Sequence, residues 1–95
     1  MGEASIPKAT IVAPVYNSAR SIRRCLDSLL AQSERSIQVV CVNDGSVDDS
    51  LGILRQIAQA DDRVLVIDQE NAGVSCARNA GIDVAEGETV FFVDA

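Results

Sequence analysis

Polar residues able to do chemistry stand directly behind apolar runs in this sequence. Tyr16-Asn17 follows Thr10-Ile11-Val12-Ala13-Pro14-Val15, Asn43-Asp44 follows Ile37 to Val42, and Asp94 follows Val90-Phe91-Phe92-Val93. Asn71-Ala72-Gly73 makes a fourth polar break, and Arg78 comes shortly after it. Asp44 can accept a hydrogen bond from a ligand N–H such as a nucleobase imide. It is equally the natural first residue of an Asx turn before Gly45. Asp94 is a poor core residue and a good oxygen ligand for Mg²⁺ or Mn²⁺, although one carboxylate does not make a site. Arg78 can reach a phosphate or stand solvated on a helix. Tyr16 can stack on a base or pack over a sheet edge. Asp48 and Asp49 read as structural, because acids in a first helical turn complement the macrodipole.

What is missing narrows the chemistry. The chain has no histidine, so it contains no Ser-His-Asp or Cys-His unit. The formal net charge of −6 opposes nucleic-acid binding, which depends on clustered Lys and Arg. The three cysteines, Cys25, Cys41 and Cys76, lack C-x-x-C spacing. Each falls in an apolar pattern, so they read as small core residues in a reducing compartment. The Gly45 and Gly73 loops match neither a dinucleotide G-x-G-x-x-G fingerprint nor a Walker A loop. No apolar run approaches a membrane span of about 18 residues. The N-terminus lacks a signal-peptide core, and Ile6 stands where a myristoylation motif wants Ser or Thr. A cytoplasmic protein is expected, at the inner face of a membrane if other sequence anchors it.

Elements must bring these residues together. Residues 1–8 read as a lead-in. Strands are expected over 10–15, 37–42, 63–68 and 89–93, with Pro14 ending the regular ladder of the first. From Arg20 to about Gln32, Ile22, Cys25, Leu26, Leu29 and Leu30 trace one helical stripe. Asn17 or Ser18 can cap that helix. A second helix, opened by Ser46 and Asp49 in a capping-box spacing, runs to about Ala60 with Leu51, Leu54, Ile57 and Ala58 on one face. A third, about Val74 to Ala85, carries the small residues Ala77, Ala80 and Gly81, which let a helix lie close to a sheet. Gly87 is placed to stop it as a C′ glycine. The order βαβαβαβ predicts a parallel sheet with right-handed crossovers and strand order 3-2-1-4. In such a sheet the polar strand ends share one edge, where ligands bind. The buried-type final strand predicts that the chain is the front part of something longer, and its open edge could support a homo-oligomer.

Together these pieces resemble the family 2 glycosyltransferases of the GT-A fold. The matching stretches are Ala13-Pro14-Val15-Tyr16-Asn17, Val42-Asn43-Asp44-Gly45-Ser46 with Asp48, Asn71-x-Gly73-x-x-x-Ala77-Arg78-Asn79-x-Gly81, Glu86-Gly87 and Phe92-Val93-Asp94. The resemblance implies that residues 9–95 form a nucleotide-sugar-binding half-domain. It implies a nucleoside pocket lined by the turn Pro14, Val15, Tyr16 and Asn17 and by Asp44, with Gly73 on the same cleft and Arg78 near the phosphates. It makes Asp94 the first acid of a D-x-D metal motif for Mn²⁺ or Mg²⁺, whose second acid would fall at position 96. The parent would move a sugar from a UDP- or GDP-type donor, UDP first, to a glycan, lipid or protein hydroxyl, with inversion. The acceptor-side base has no match here, so the isolated chain is expected to be inactive. A non-catalytic nucleotide binder or self-associating fragment is the alternative. A sugar nucleotidyltransferase fits less well, for no Gly-rich, Arg-containing loop follows the first strand.

Overall fold

The computed structural model describes residues 6–32 and 36–93. Four strands, β1 (Ala9–Val15), β2 (Ile37–Asp44), β3 (Val64–Gln69) and β4 (Thr89–Phe92), alternate with three helices, α1 (Ile22–Gln32), α2 (Ser50–Ala60) and α3 (Val74–Val84). All strand pairs are parallel and the order is β3-β2-β1-β4, as the sequence predicts.

Period-two alternation sorts the central strands onto two faces. Ala13, Val15, Val39 and Cys41 face Ile22 and Leu26 of α1 and Leu54 and Ile57 of α2. Val12, Val40 and Val42 face Ala77 and Ala80 of α3. The chain therefore runs β1 to β3 with its helices on one face. It then returns on the other face to place β4 beside β1. That reversal puts the switch point of the sheet between β1 and β4, and in an open α/β sheet ligands bind beyond the carboxyl ends of the strands near such a point.

The small residues of α3 do what their size suggests. A methyl group at Gly81 would come within 2.4 Å of Val12 Cγ1, so glycine there sets how closely α3 approaches β1. A single helix does not cover this face, however, and Leu65, in register with Val40, is exposed. On the opposite face Phe91 of β4, in register with Ile11, is exposed as well.

Several local expectations are corrected. Pro14 does not end the ladder, since β1 continues through the pairs Pro14↔Val42 and Val15↔Asn43. Its missing N–H breaks no pairing with β4 among the described residues, because β4 pairs with β1 only as far as Val12. Strand β2 runs two residues further than its apolar run, through Asn43 and Asp44. These pair with Asp68 and Gln69 of β3, and the Asn43 amide donates to Asp68 Oδ1 at 3.0 Å.

The Ser46–Asp49 capping box does not form. Asp49 is the N-cap of α2 without a side-chain bond, and Ser46 Oγ instead accepts the Asn17 N–H. Gly87 does not cap α3, which passes into extended backbone at Ala85. Its role is close approach: a methyl group there would lie 2.4 Å from the Ala9 carbonyl carbon, while its N–H donates to Thr10 Oγ1 at 2.8 Å.

Of the cysteines, only Cys41 is buried; Cys25 is half-buried and Cys76 exposed. Burial pushes the Cys41 thiol up to about 12, so it is inert at neutral pH.

Candidate functional site

A cavity of about 410 Å³ opens at the carboxyl edge of the sheet, lined by Pro14, Val15, Tyr16, Ser18, Asp44, Asn71, Gly73, Val74 and Ala77. Its size is that of a small-molecule site. Its floor is the end of β1, one wall is the tip of β2, and the other is the β3–α3 loop with the first turn of α3. Tyr16 stands half exposed over it.

Asp44 is the hinge of this arrangement. As the last residue of β2, its side chain turns to the α3 face, where the β3–α3 loop passes. Oδ1 accepts Gln69 Nε2–H at 2.9 Å and the Ala72 N–H at 2.8 Å, and Oδ2 accepts the Gly73 N–H at 3.0 Å. Its backbone carbonyl accepts Asn71 Nδ2–H at 3.0 Å. The Gln69 amide foremost, with the Ala72 and Gly73 N–H groups, holds the Asp44 carboxyl below its ordinary value against the opposing effect of burial. The carboxylate is therefore charged at neutral pH. It is 5% exposed and still reaches the cavity wall. Asp44 braces a loop, and it borders the cavity. The braced loop is not its own turn at Gly45 but the one after β3.

Two glycines make that contact possible. Gly45 has φ 74°, and a methyl group on it would lie 2.6 Å from Asn71 N, so the β2–α2 turn and the β3–α3 loop touch backbone to backbone. Gly73 has φ 97° with nothing within 4 Å of a would-be methyl. Conformation, not space, requires glycine there.

Asn17 is placed differently from its neighbours. It adopts φ 50°, a region Asn tolerates. It exchanges two bonds with the next loop: its N–H donates to Ser46 Oγ at 2.8 Å, and its Oδ1 accepts the Val47 N–H at 2.9 Å. The Ser18 N–H donates to Ser50 Oγ at 2.8 Å, and the Ala19 N–H to Asp48 Oδ2 at 3.1 Å. Asp48 Oδ1 in turn accepts the Ser50 hydroxyl and N–H, and the hydroxyl foremost keeps the Asp48 carboxyl low. Asn17 and Asp48 thus lock the β1–α1 loop to the β2–α2 loop from behind the cavity. Asp48 works through these bonds, outside the first turn of α2.

The structure brings Pro14, Val15, Tyr16, Asp44 and Gly73 together around one space. Arg78 is not among the residues that line it; its guanidinium carbon lies 5.6 Å from the centre of the Phe92 ring, a cation–π distance. Asp94 lies outside the described residues. Ser18, Asn71, Val74 and Ala77 also line the cavity, and sequence reasoning assigned them only to caps, a loop and a helix face. The signal for Asn71 was present in its N-x-G spacing with Gly73. Val74 carried none.

These residues and this fold belong to a known class. Residues 10–95 match Glycosyl transferase family 2, and the chain is a member of that family with a GT-A-type sheet. The chain is 47% identical over 88 residues, 93% of its length, to glycosyltransferase GlyA of Streptococcus pneumoniae, of which it covers 13%. Among solved structures it resembles TarS 1-349 of S. aureus, with a TM-score of 0.82 and 33% identity over 92% of this chain and 27% of that one. TarS 1-349 has also been solved with UDP and with UDP-GlcNAc. The mannosyltransferase PcManGT from Pyrobaculum calidifontis, in complex with GDP-Man and Mn²⁺, gives a TM-score of 0.84 at 27% identity, over 95% of this chain and 28% of that one. The chain spans only 13–26% of the length of the curated relatives it matches first.

Proposed function

We propose that residues 9–95 form the nucleoside-diphosphate-binding part of an inverting glycosyltransferase, which moves a sugar from a nucleotide-sugar to an acceptor hydroxyl. The observation that carries this reading is the cavity at the strand ends, with an ionised carboxylate in its wall and an aromatic ring at its mouth. Tyr16 offers a stacking face to a base, Asp44 an acceptor to its N–H, and the apolar floor of Pro14, Val15 and Ala77 excludes water. Solved relatives that hold UDP, UDP-GlcNAc or GDP-Man support a nucleotide-sugar donor. We favour a uracil nucleotide and a glycan, lipid or protein acceptor.

Sugar transfer leaves charge on the departing diphosphate, and a divalent cation such as Mn²⁺ or Mg²⁺ neutralises such charge as a Lewis acid. Asp94 would supply one ligand to it. Among the described residues no three acids or cysteines stand close enough to hold a metal, so no step here is routed through one. Nor does a carboxylate among the cavity-lining residues stand free to deprotonate an acceptor, since Asp44 is committed to the β3–α3 loop. The 95-residue chain alone is therefore inactive in this reading. No helix among the described residues is long and apolar enough to cross a membrane, and we place the parent's catalysis in the cytoplasm.

Calorimetric titration of the chain with UDP, with and without Mn²⁺, tests the reading. Saturable binding is expected, and so is no sugar release from a panel of nucleotide-sugars. Absence of binding would overturn the first part, and robust turnover by the chain the second. A self-associating fragment is the rival, favoured by the exposed Phe91 and Phe92 on β4. Concentration-dependent sedimentation without nucleotide binding would establish it.

A further inference from the structure

We propose that Asp48, a residue outside the cavity lining, sets how tightly the cavity holds a nucleotide by fixing the loop that carries Tyr16 and Ser18. The proposal rests on the nucleotide reading above and adds a residue that acts on it from behind.

Tyr16 and Ser18 line the cavity, and neither sits in a regular element. Strand β1 makes its last pair at Val15, with Asn43. The bonds that open α1 start only where the Ser18 carbonyl accepts the Ser21 and Ile22 N–H groups, at 3.0 and 2.9 Å. In between, three successive backbone N–H groups go to side-chain oxygens of the segment that follows β2. Asn17 donates to Ser46 Oγ at 2.8 Å, Ser18 to Ser50 Oγ at 2.8 Å, and Ala19 to Asp48 Oδ2 at 3.1 Å. The Tyr16 ring is half exposed, so it takes its place from backbone that these oxygens hold.

Asp48 governs two of the three bonds. Its Oδ2 holds Ala19 directly. Its Oδ1 accepts the Ser50 hydroxyl at 2.6 Å and the Ser50 N–H at 3.0 Å. A hydroxyl has one hydrogen to give, so Ser50, having given it to Asp48, meets the Ser18 N–H as an acceptor. The Ser18 hydroxyl in turn donates to the Tyr16 carbonyl at 3.1 Å. Asp48 is thus a positioning residue, acting on Tyr16 through Ser50 and Ser18.

An acceptor lost here lets the loop take other arrangements. Apparent affinity falls with the fraction of molecules whose loop stays competent to bind, and one missing hydrogen bond changes such a fraction by about fivefold.

The test uses the full chain as wild type, Asp48→Asn and Ser46→Ala. The Asn side chain keeps one oxygen for Ser50 and turns an NH₂ toward the Ala19 N–H. Ser46→Ala removes the acceptor of the exposed Asn17 bond. Tyr16 is the chain's one tyrosine, and there is no tryptophan, so time-resolved fluorescence anisotropy follows the mobility of its ring alone. Calorimetric titration measures the affinity for UDP. Asp48→Asn is expected to melt cooperatively, to speed the local depolarisation of Tyr16, and to weaken UDP binding by about fivefold. In a folded Asp48→Asn protein, a wild-type UDP affinity or an unchanged Tyr16 mobility would show a role in the fold only and would overturn the proposal. If Asp48→Asn does not fold, Ser46→Ala decides: it should shift both measurements the same way, and no shift overturns the proposal. Absence of UDP binding by wild type would remove the nucleotide reading and the proposal together, whereas binding that both variants leave untouched overturns the proposal alone.

Discussion

Asp44→Asn changes almost no volume, so it isolates the carboxylate's work in the fold. The carboxylate faces three donors: the Gln69 amide and the Ala72 and Gly73 N–H groups. An Asn side chain offers one oxygen and one NH₂. The Gln69 amide can turn and present its oxygen, but two backbone N–H groups cannot. If the Asn oxygen keeps Ala72, its NH₂ opposes Gly73, and the reverse choice strands Ala72. One backbone donor is left unpaired, at a cost of about 1–3 kcal/mol. Asp44 keeps a small exposure at the cavity wall, so the low end of that range, about 1–1.5 kcal/mol, is expected.

Urea unfolding at pH 7 measures it. With an m-value of about 1.5 kcal/mol per molar, the midpoint should fall by about 0.7–1 M at unchanged m. Amide exchange at Ala72 and Gly73 should quicken more than exchange in β1 and β2. The pH dependence carries a sign. Asp44's folded value lies below the ordinary 3.8, so its stabilisation is complete above that value and is lost as pH falls through the folded one. Asn does not titrate, so the gap between the two proteins should be full at neutral pH and close in acid. A variant within about 0.3 kcal/mol of wild type at pH 7, inside ordinary surface-mutation scatter, would refute the bracing role.

Gly87→Ala puts a methyl group against the backbone of Ala9 and Thr10, which cannot rotate away, so a loss of about 2–3 kcal/mol is expected. Gly81→Ala meets only the Val12 side chain and gains about 1 kcal/mol of helix propensity; thermal melts should rank it clearly milder than Gly87→Ala. Leu54→Ala empties a fully buried position under β1 and β2 and should cost about 2–5 kcal/mol in denaturant unfolding.

The sheet was legible because its signals are regular. Alternating apolar runs give strands, the stripe from Ile22 to Leu30 gives α1, and a strict βαβ order leaves few topologies. The strand ends were legible as a set for the same reason. What could not be read was which partner each polar group chooses. Ser46 and Asp49 have capping spacing, yet Ser46 serves Asn17, 29 residues earlier in a different loop. Gly87 sits where a helix stop belongs, yet it answers to Ala9 at the far end of the sequence. Cys76 falls in an apolar pattern on α3 and still faces outward, because one helix on that face buries only its innermost row.

The same distinction separates the two halves of the site. Pro14, Val15 and Ala77 owe their place to sheet and helix geometry, which the sequence pattern dictates. The loops above them carry no regular ladder, and side-chain oxygens replace it. Asp48 and Ser50 hold the β1–α1 loop, and Asp44 holds the β3–α3 loop. In each case a carboxylate receives backbone N–H groups that would otherwise be unpaired. A neutral residue of the same shape could not receive as many. The two Asp residues thus serve a need that exists whether or not a ligand is bound. If the proposed nucleotide reading holds, a ligand N–H meets an acceptor already fixed in place and already charged, so little ordering is left to do on binding. In that proposed reading, bracing the loop and receiving the base are one role of a single carboxylate, and the loop bonds that hold Asp44 are what pre-organise it.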